Sequence, residues 1–446
     1  MAQRYAGEVS EIDEKAPSGT AGGAEAAGGA DAPGDMGAFD FDTPIDRRGI
    51  DSLKWDCGKD ELPMWVADMD FAAAPAIMRA LRERVERGTF GYSVIPDDYR
   101  RSVAKWWQRR HSVSFDPDHI VFVTGVIPAL TSVIRSLTNV GERVVVQSPV
   151  YNNFYSSIQN TGRRVAENRL VFDGEAYHVD FDNLERHLKD DRTTLMVLCN
   201  PHNPGGAVWD RATLARIGEA CARNRVTVVS DEIHCDVMRP GVRHVPFAAA
   251  SDVCRSISVT LGSPSKAFNV AGMQSAYAIA DDLLIRNRVE RGFNNDEIAE
   301  PNNFAIAATV AAYDEGAAWL DAACTYIQRN KDHARDAINA AACGVRALDS
   351  DATYLLWLDC RELLAESEDC GGGAPGVTAS GMRRSAAAAA DLVAFLRRET
   401  GLILSSGGIY GTGGEGFVRM NLGTQRCRVE DGVRRFIEGC TAFACR

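Results

Sequence analysis

Five short, strongly apolar runs between residues 143 and 280 limit the folds open to this chain more than any other feature of its sequence. They are Arg143–Gln147, Thr194–Cys199, Val226–Ser230, Ser256–Thr260 and Ala276–Ala280. Amphipathic stretches with helical spacing, such as Arg211–Asn224, lie between several of them. Strands buried on both faces have this composition, and their alternation with helices is typical of parallel β-α units. The sequence therefore predicts an α/β fold built around a mainly parallel sheet.

Length and composition are those of an ordinary folded protein. The chain has 446 residues, of which 45% are hydrophobic and 25% charged, enough for two domains with a core each. The net charge of -12 argues against a broad surface for nucleic acid, so we expect no such partner. No apolar stretch approaches the roughly 18 residues that a membrane helix needs, so we expect no membrane association.

The twelve cysteines are scattered through the chain, with no C-x-x-C pair. This usage indicates reduced thiols in a cytoplasmic protein without a metal site.

Composition also suggests where the chain is divided. Residues 1–38 include a long run of Gly, Ala, Asp, Glu and Pro, which predicts a disordered tail. We expect residues 39–89 and 321–446 to form a small domain and residues 90–320 a large one. Within the small domain, a Gly-rich break predicts a surface loop over residues 365–384.

Reactive side chains follow four of the apolar runs closely. The clusters are Ser148–Tyr151, Asn200–Pro204, Asp231–His234 and Ser263–Lys266. Ligands of open α/β sheets bind beyond the carboxyl ends of the strands, so four polar clusters are predicted to meet at one crevice.

These residue types suit a cofactor that carries a carbonyl group, a pyridine ring and a phosphate. The amine of Lys266 could form an imine with the carbonyl, while the hydroxyls of Ser263 and Ser265 could donate to the phosphate. A buried carboxylate at Asp231 would keep the ring nitrogen protonated. Asn203 could donate to the ring oxygen and help to hold a substrate carboxylate.

Three further candidates complete this hypothesis. A glycine turn precedes Val126 and Ile127, and the free amides at the start of a helix there would favour a phosphate. Tyr151 could lay its ring on the cofactor face. Arg419 could hold an amino-acid carboxylate through two parallel hydrogen bonds.

Each residue alone has a simpler structural explanation. Lys266 could be solvated, Asp231 a helix cap, Asn203 a turn residue and Arg419 part of an ion pair. Their order and their positions at strand ends favour the functional interpretation. Three other features favour a structural interpretation. His234, a candidate cofactor contact, is typical of a satisfied core histidine beside a buried carboxylate. Trp106-Trp107 are predicted to lie in the core, and Asp68–Asp70 are predicted to form a solvated turn.

The chain resembles the MalY/PatB family, the cystathionine β-lyase (C-S lyase) branch of fold-type I pyridoxal-phosphate enzymes. The resemblance extends from about Phe39 to Phe436. Its markers are Leu62–Phe71, Phe90–Tyr92, Ser148–Tyr151, Asn200–Pro204, Ser230–His234, Ser263–Asn269 and Tyr410–Asn421. It implies the aspartate-aminotransferase fold, with a seven-stranded, mainly parallel sheet in the large domain and a smaller α+β domain.

The resemblance also implies roles. Lys266 is the Schiff-base lysine of pyridoxal 5'-phosphate, Asp231 the partner of the pyridine nitrogen and Asn203 the donor to the ring oxygen. The phosphate ligands are Ser263 and Ser265 with the amides of Val126 and Ile127, and Arg419 anchors the substrate carboxylate. Tyr92 reaches the phosphate of a neighbouring subunit in a homodimer with active sites at the interface.

Two positions bear on which branch of the superfamily the chain belongs to. Typical aminotransferases carry an arginine eight residues after the lysine, where this chain has Gln274, and the lyase branch likewise lacks it. Gly423–Arg426 stands where the family usually has a Cys-Pro-Arg stretch.

The implied reaction is cleavage of the C–S bond of cystathionine, or of a related amino-acid thioether, to pyruvate, ammonia and a thiol. The alternatives are an aminotransferase, which shares every cofactor contact, a relative that keeps the fold without catalysis, and a pyridoxal-phosphate-binding transcription regulator. The Gly/Ala-rich segment before the fold argues against the regulator, because it is too short for a helix-turn-helix module.

Overall fold

The structure, a computed structural model, describes residues 39–369 and 379–446. The predicted tail over residues 1–38 lies outside the described residues. Helices occupy both ends of the predicted 365–384 loop, and its centre, residues 370–378, lies outside the described part of the chain.

Fifteen strands are found in the described residues. In chain order they are β1 Leu62–Pro63, β2 Ile120–Val123, β3 Arg143–Val146, β4 Arg164–Glu167, β5 Val171–Phe172, β6 Tyr177–His178, β7 Thr193–Cys199, β8 Thr227–Asp231, β9 Ser258–Gly262, β10 Ala276–Ile279, β11 Arg346–Ala347, β12 Leu355–Asp359, β13 Leu402–Ile403, β14 Ser405–Ser406 and β15 Phe417–Asn421.

Thirteen α-helices accompany them in the same described ranges. They are α1 Pro75–Glu86, α2 Asp97–His111, α3 Val126–Leu137, α4 Asn152–Asn160, α5 Phe181–Leu188, α6 Arg211–Arg223, α7 Asp252–Ser256, α8 Leu283–Asn295, α9 Ala305–Glu315, α10 Ala317–Ala340, α11 Arg361–Asp369, α12 Ala379–Thr400 and α13 Arg426–Ala444. None of these described helices has the length and apolar character needed to cross a membrane.

Seven strands form the main sheet, in the order β2-β10-β9-β8-β7-β3-β4. All five predicted strands belong to it; β10 pairs antiparallel with both of its neighbours, and the other four pairings are parallel. The predicted helix over Arg211–Asn224 is α6, whose first turn is capped by Asp210 accepting a hydrogen bond from the Thr213 amide. The expected α/β fold with a mainly parallel seven-stranded sheet is confirmed.

Burial explains why these runs form central strands. Val144, Val145 and Val146 of β3 and Leu195–Leu198 of β7 are fully buried, because helices cover both faces of the sheet. Trp106 and Trp107 of α2 are also buried in the core, as predicted.

A second sheet is antiparallel, in the order β11-β12-β15-β14. Arg419 lies in the middle of β15, opposite Trp357 on one side and Ser405 on the other. A third, two-stranded sheet pairs β1 with β13, so the N-terminal segment joins the C-terminal third of the chain. Helix α10 runs across residue 320, and the predicted division into a large and a small domain there stays a prediction.

Candidate active site

The predicted polar clusters follow strands that are neighbours in the main sheet. Asp231 ends β8, Ser263 follows β9, and Asn200–Asn203 follow β7. Because β7, β8 and β9 are adjacent and parallel, their carboxyl ends lie side by side at one edge. Side chains from three loops are therefore brought to one cleft.

Lys266 lies in the loop after β9 and points its amine at a backbone carbonyl. Its Nζ donates to Ala67 O at 2.7 Å. Burial lowers the pKa of Lys266, the carboxylate of Asp68 opposes this effect, and the guanidinium of Arg419 adds to it. A lowered pKa increases the fraction of neutral amine, which is the nucleophilic form.

Asp231 is a buried carboxylate whose negative charge the protein does little to stabilise. It is 4% exposed, and its Oδ1 accepts one hydrogen bond, from the Ile233 amide at 3.1 Å. Burial raises the pKa of Asp231 to about 7, although the Ile233 hydrogen bond and the Lys266 charge lower it. Such a group is prepared for a cationic partner that the protein itself does not supply.

Arg419 and Asn203 meet across the cleft. Nη1 of Arg419 donates to Asn203 Oδ1 at 3.0 Å, and Nη2 donates to Trp65 O at 2.9 Å. The guanidinium lies 4.9 Å from the ring centroid of Tyr410, and its buried Nε has no hydrogen-bond partner. A rigid, buried guanidinium with an unused donor suits a carboxylate ligand.

His234 is buried close to Lys266 and Arg419. Burial, with the charges of Lys266 and Arg419, lowers the pKa of His234 to about 3, so the ring is neutral near pH 7. Its Nδ1 has no hydrogen-bond partner, and the ring lies 6.0 Å from that of Tyr354. A neutral imidazole with a free nitrogen can bind a polar group but cannot serve as an acid near pH 7.

The predicted phosphate ligands divide into two sets. Ser263 and Ser265 lie 2.5 Å apart between their hydroxyl oxygens, and Ser263 also donates to Ser275 O at 2.6 Å. Ser263 is therefore already engaged, whereas Ser265 is less buried. Val126 and Ile127 begin α3 directly after Gly125, so their amides lie in the helix's first turn, where they lack intrahelical partners.

Tyr151 and Tyr92 differ in environment. Tyr151 directly precedes α4, and its hydroxyl accepts a hydrogen bond from Asn153 Nδ2 at 2.8 Å. Burial raises the pKa of Tyr151, and the charges of Arg419 and Asp231 both act on its hydroxyl. Tyr92 is fully exposed at 101%, between the exposed Phe90 and Val94.

The prediction that Asp68–Asp70 form a solvated turn is wrong for Asp70. Asp70 is 1% exposed and accepts hydrogen bonds from Lys54 Nζ at 2.7 Å, Trp55 Nε1 at 2.8 Å and Arg47 Nη1 at 3.0 Å. The local pattern of polar and apolar residues suggested exposure, whereas three partners from earlier in the chain bury the carboxylate.

Two contributors to the cleft were not predicted from the sequence. The first is a pair of backbone carbonyls: Trp65 O accepts a hydrogen bond from Arg419, and Ala67 O accepts one from Lys266. The second is the buried Tyr354, whose hydroxyl donates to Ala67 O at 3.1 Å. Trp65 and Ala67 lie within the Leu62–Phe71 marker, which was the available signal. Tyr354 had none.

Outside the cleft, one group of potential metal ligands lies among the described residues, at His111, Cys235 and Asp236. Its carboxylate is already engaged, because Asp236 accepts hydrogen bonds from Trp106 Nε1 at 3.1 Å and contacts His111 Nε2 at 2.8 Å. We interpret this group as a buried hydrogen-bond network.

The residues of the cleft fit pyridoxal phosphate. Lys266 offers an amine of lowered pKa, Asp231 a buried carboxylate that lacks a cation, and His234 and Arg419 free nitrogen atoms. These are complements to an aldehyde, a protonated ring nitrogen and a carboxylate-bearing substrate.

Comparisons with known proteins agree with this geometry. Residues 60–436 match the family described as "Aminotransferase class I and II". The chain is 40% identical over 403 residues to cystathionine β-lyase PatB of Bacillus subtilis (strain 168), covering 89% of this chain and 98% of PatB. It is 32% identical to protein MalY of Escherichia coli (strain K12), covering 91% and 99%.

Among solved structures, cystalysin from Treponema denticola superposes with a TM-score of 0.81 at 28% identity, covering 90% of this chain and 98% of cystalysin. That crystal structure contains a pyridoxal 5'-phosphate cofactor.

Proposed function

Because the chain belongs to the class I and II aminotransferase family, as a cystathionine β-lyase of the MalY/PatB type, we propose that it cleaves the C–S bond of cystathionine in the cleft at the ends of β7, β8 and β9. The chain is a pyridoxal-phosphate-dependent lyase. With cystathionine and water, the products are homocysteine, pyruvate and ammonia. The observation that carries the assignment of this cleft is that Lys266 and Asp231, at one edge of the main sheet, lie close to Arg419 of β15 in the second sheet.

When bound, pyridoxal phosphate withdraws electrons from the substrate α carbon, so that a thiolate on the β carbon can leave. Lys266 would hold the cofactor covalently until the substrate amine takes its place. The freed Nζ would then remove the proton from the α carbon, and its lowered pKa increases the fraction of the neutral amine that can do so. The same Nζ can deliver a proton to the departing sulfur.

Asp231 would face the ring nitrogen and keep it protonated. Burial raises the pKa of Asp231, and the positive charge of the protonated ring nitrogen would offset this effect. The carboxylate would therefore become ionised when the cofactor binds. Asn203 would donate to the ring oxygen, Tyr151 would cover the ring, and His234 would supply a neutral polar contact.

Arg419 would bind the substrate carboxylate. Its contacts with Trp65 O and Asn203 Oδ1 fix the guanidinium plane before substrate arrives, which reduces the entropy lost on binding. We further propose that Ser265, Ser263 and the amides of Val126 and Ile127 hold the phosphate.

The purified protein incubated with cystathionine and no keto acid tests the function. We expect pyruvate and free thiol in equal amounts, with Lys266→Ala as the inactive control. An aminotransferase would produce neither product under these conditions, so their absence, together with amino transfer to an added keto acid, would overturn the lyase assignment.

We also propose a homodimer in which Tyr92 contributes to the partner's phosphate site. Its full exposure, beside the exposed Phe90 and Val94, is expected of a side chain that a second copy covers. Tyr92→Ala and Lys266→Ala would each be inactive. When the two variants are mixed and reassociated, about half of the dimers are hybrids, and each hybrid contains one intact site out of two. Up to about a quarter of the parent activity should therefore be restored. No restoration in demonstrated hybrids would contradict the proposal.

A cytoplasmic location is proposed from cysteine chemistry, because the eleven cysteines of the described residues are all free thiols. Cell fractionation tests it, and recovery in an extracytoplasmic fraction would contradict it.

A further inference from the structure

Residues Trp65–Phe71, named here the carbonyl segment, form one wall of the cleft without belonging to a helix or strand. Every backbone carbonyl in this segment accepts a hydrogen bond from a side chain. The donors, in carbonyl order from 65 to 71, are Arg419, Asn421, Lys266, Lys54, Arg47, Gln425 and Asn269. Regular secondary structure normally satisfies such groups, so the position of this wall depends largely on side chains.

Two of these donors are the groups to which the reaction is assigned. Arg419 rests on Trp65 O at 2.9 Å and Lys266 on Ala67 O at 2.7 Å. The two carbonyls are two residues apart, so a shift of the segment moves both acceptors together. Once substrate has freed Lys266 from the cofactor, the position of its proton-transferring amine and that of the carboxylate-binding guanidinium are thereby coupled.

The segment is fixed to the protein by a buried ion pair. Lys54 and Asp70 are each 1% exposed, their Nζ and Oδ2 lie 2.7 Å apart, and Lys54 Nζ also donates to Asp68 O at 2.9 Å. We propose that the ion pair of Lys54 and Asp70 positions the catalytic groups, because it fixes the carbonyl segment on which they rest. This inference rests on the proposed function and makes Lys54 and Asp70 positioning residues, since neither reaches the reacting atoms.

The C-terminal third of the chain supports the same segment. The Asp70 amide donates to Gly423 O at 2.8 Å, and Gln425 Nε2 donates to Asp70 O at 2.8 Å. Gly423 and Gln425 lie in the stretch that departs from the usual Cys-Pro-Arg sequence. That departure therefore falls on a contact to the carbonyl segment.

The test compares Lys54→Met with Arg163→Met. Arg163 is also a buried cation that binds backbone carbonyls, with Nη2 donating to Thr138 O at 2.7 Å, but it lies beyond the far end of α3 from the cleft. A merely structural role predicts that both variants lose stability and keep normal catalytic constants.

Three quantities are measured on each cofactor-loaded protein. They are kcat and KM with cystathionine, the cofactor bound per chain by visible absorbance, and the dissociation constant of a 3-(alkylthio)propanoate by calorimetry. This acid keeps the carboxylate and the thioether and lacks the amine, so it reports on Arg419 without turnover.

We expect Lys54→Met to lower kcat by about 10- to 100-fold and to weaken binding of the acid by about tenfold, which is the scale for a misplacement of catalytic groups by about 1 Å. Arg163→Met should stay within about twofold of the parent protein in both quantities. Equal values for the two variants would overturn the inference.

If Lys54→Met does not fold, Asn269→Gly tests the step on which the inference depends, namely that the carbonyl segment positions the catalytic groups. Asn269 has a φ of 57° and bonds to the amide and carbonyl of Met69 and to Phe71 O, so glycine removes these bonds without backbone strain. It should show the same joint loss of kcat and acid binding, and parent-like values would overturn the inference. If the parent protein itself formed no pyruvate from cystathionine, the proposed function would fail instead.

Discussion

Replacing Asp231 by asparagine is expected to stabilise the cofactor-free protein, and more so at high pH. In the absence of a cofactor, the Asp231 carboxylate is buried with one hydrogen bond and no adjacent cation bonded to it. Its pKa is raised from 3.8 to about 7. Asparagine has nearly the same shape and stays neutral, so the substitution removes the titration and little else.

The sign and size follow from proton linkage. Between pH 3.8 and about 7 the folded state binds more protons at Asp231 than the unfolded state, so stability falls as pH rises through this range. A rise of about 3 pKa units corresponds to roughly 4 kcal/mol in total. About half of it, ~2 kcal/mol, falls between pH 5.5 and 8.5 by the same linkage.

The assay is urea unfolding of the two cofactor-free proteins across that pH range. Subtracting one free energy of unfolding from the other cancels every titration that the proteins share. We expect the advantage of Asp231→Asn to grow by about 2 kcal/mol from pH 5.5 to 8.5. With cofactor bound to the parent protein, the pH dependence assigned to Asp231 should disappear, because the ring cation stabilises the carboxylate. A pH-independent difference between the cofactor-free proteins would refute this reasoning.

Three further predictions concern single residues. Arg419→Lys should lower kcat/KM for cystathionine at least tenfold in steady-state assays. An ammonium cannot keep the contacts to Trp65 O and Asn203 Oδ1 and also bind a carboxylate through two parallel hydrogen bonds. An unchanged KM would contradict the assignment of Arg419 to the substrate carboxylate. His234→Gln should change the height of the kcat/KM profile between pH 5 and 8 but not its inflection points, because the pKa of His234 is about 3; loss of an inflection would be contrary evidence. Gly262→Ala should lower the free energy of unfolding by about 1–3 kcal/mol, because a Cβ at residue 262 would lie 2.5 Å from the Tyr277 ring. It should also weaken cofactor binding, because Gly262 directly precedes Ser263. Parent-like thermal unfolding would argue against this prediction.

The sheet could be predicted from sequence because its strands are continuous apolar runs. Five of seven were found in this way. The two edge strands, β2 and β4, were missed: Arg164–Glu167 of β4 has two charged ends and little burial, whereas Ile120–Val123 of β2 is apolar, so its signal was present but not recognised. The antiparallel direction of β10 has no local signal, because direction is decided by the connection and not by composition.

The candidate site was predictable where side chains follow buried strands. Lys266, Asp231 and Asn203 lie at the ends of β9, β8 and β7, and the sheet brings them together. The wall opposite was not predictable, because its contribution is made by backbone carbonyls of Trp65–Phe71. Asp70 was misjudged for a different reason: its burial depends on Lys54, Trp55 and Arg47, which a local pattern does not include.

Peptide mapping after borohydride reduction of the pyridoxal-phosphate-loaded protein tests the central claim most directly. Reduction makes the bond between cofactor and amine permanent, so mass spectrometry identifies the lysine that carries it. The account predicts one pyridoxyl group per chain, on the peptide containing Lys266. A label on any other lysine, with Lys266 unmodified in protein that still releases pyruvate from cystathionine, would contradict it.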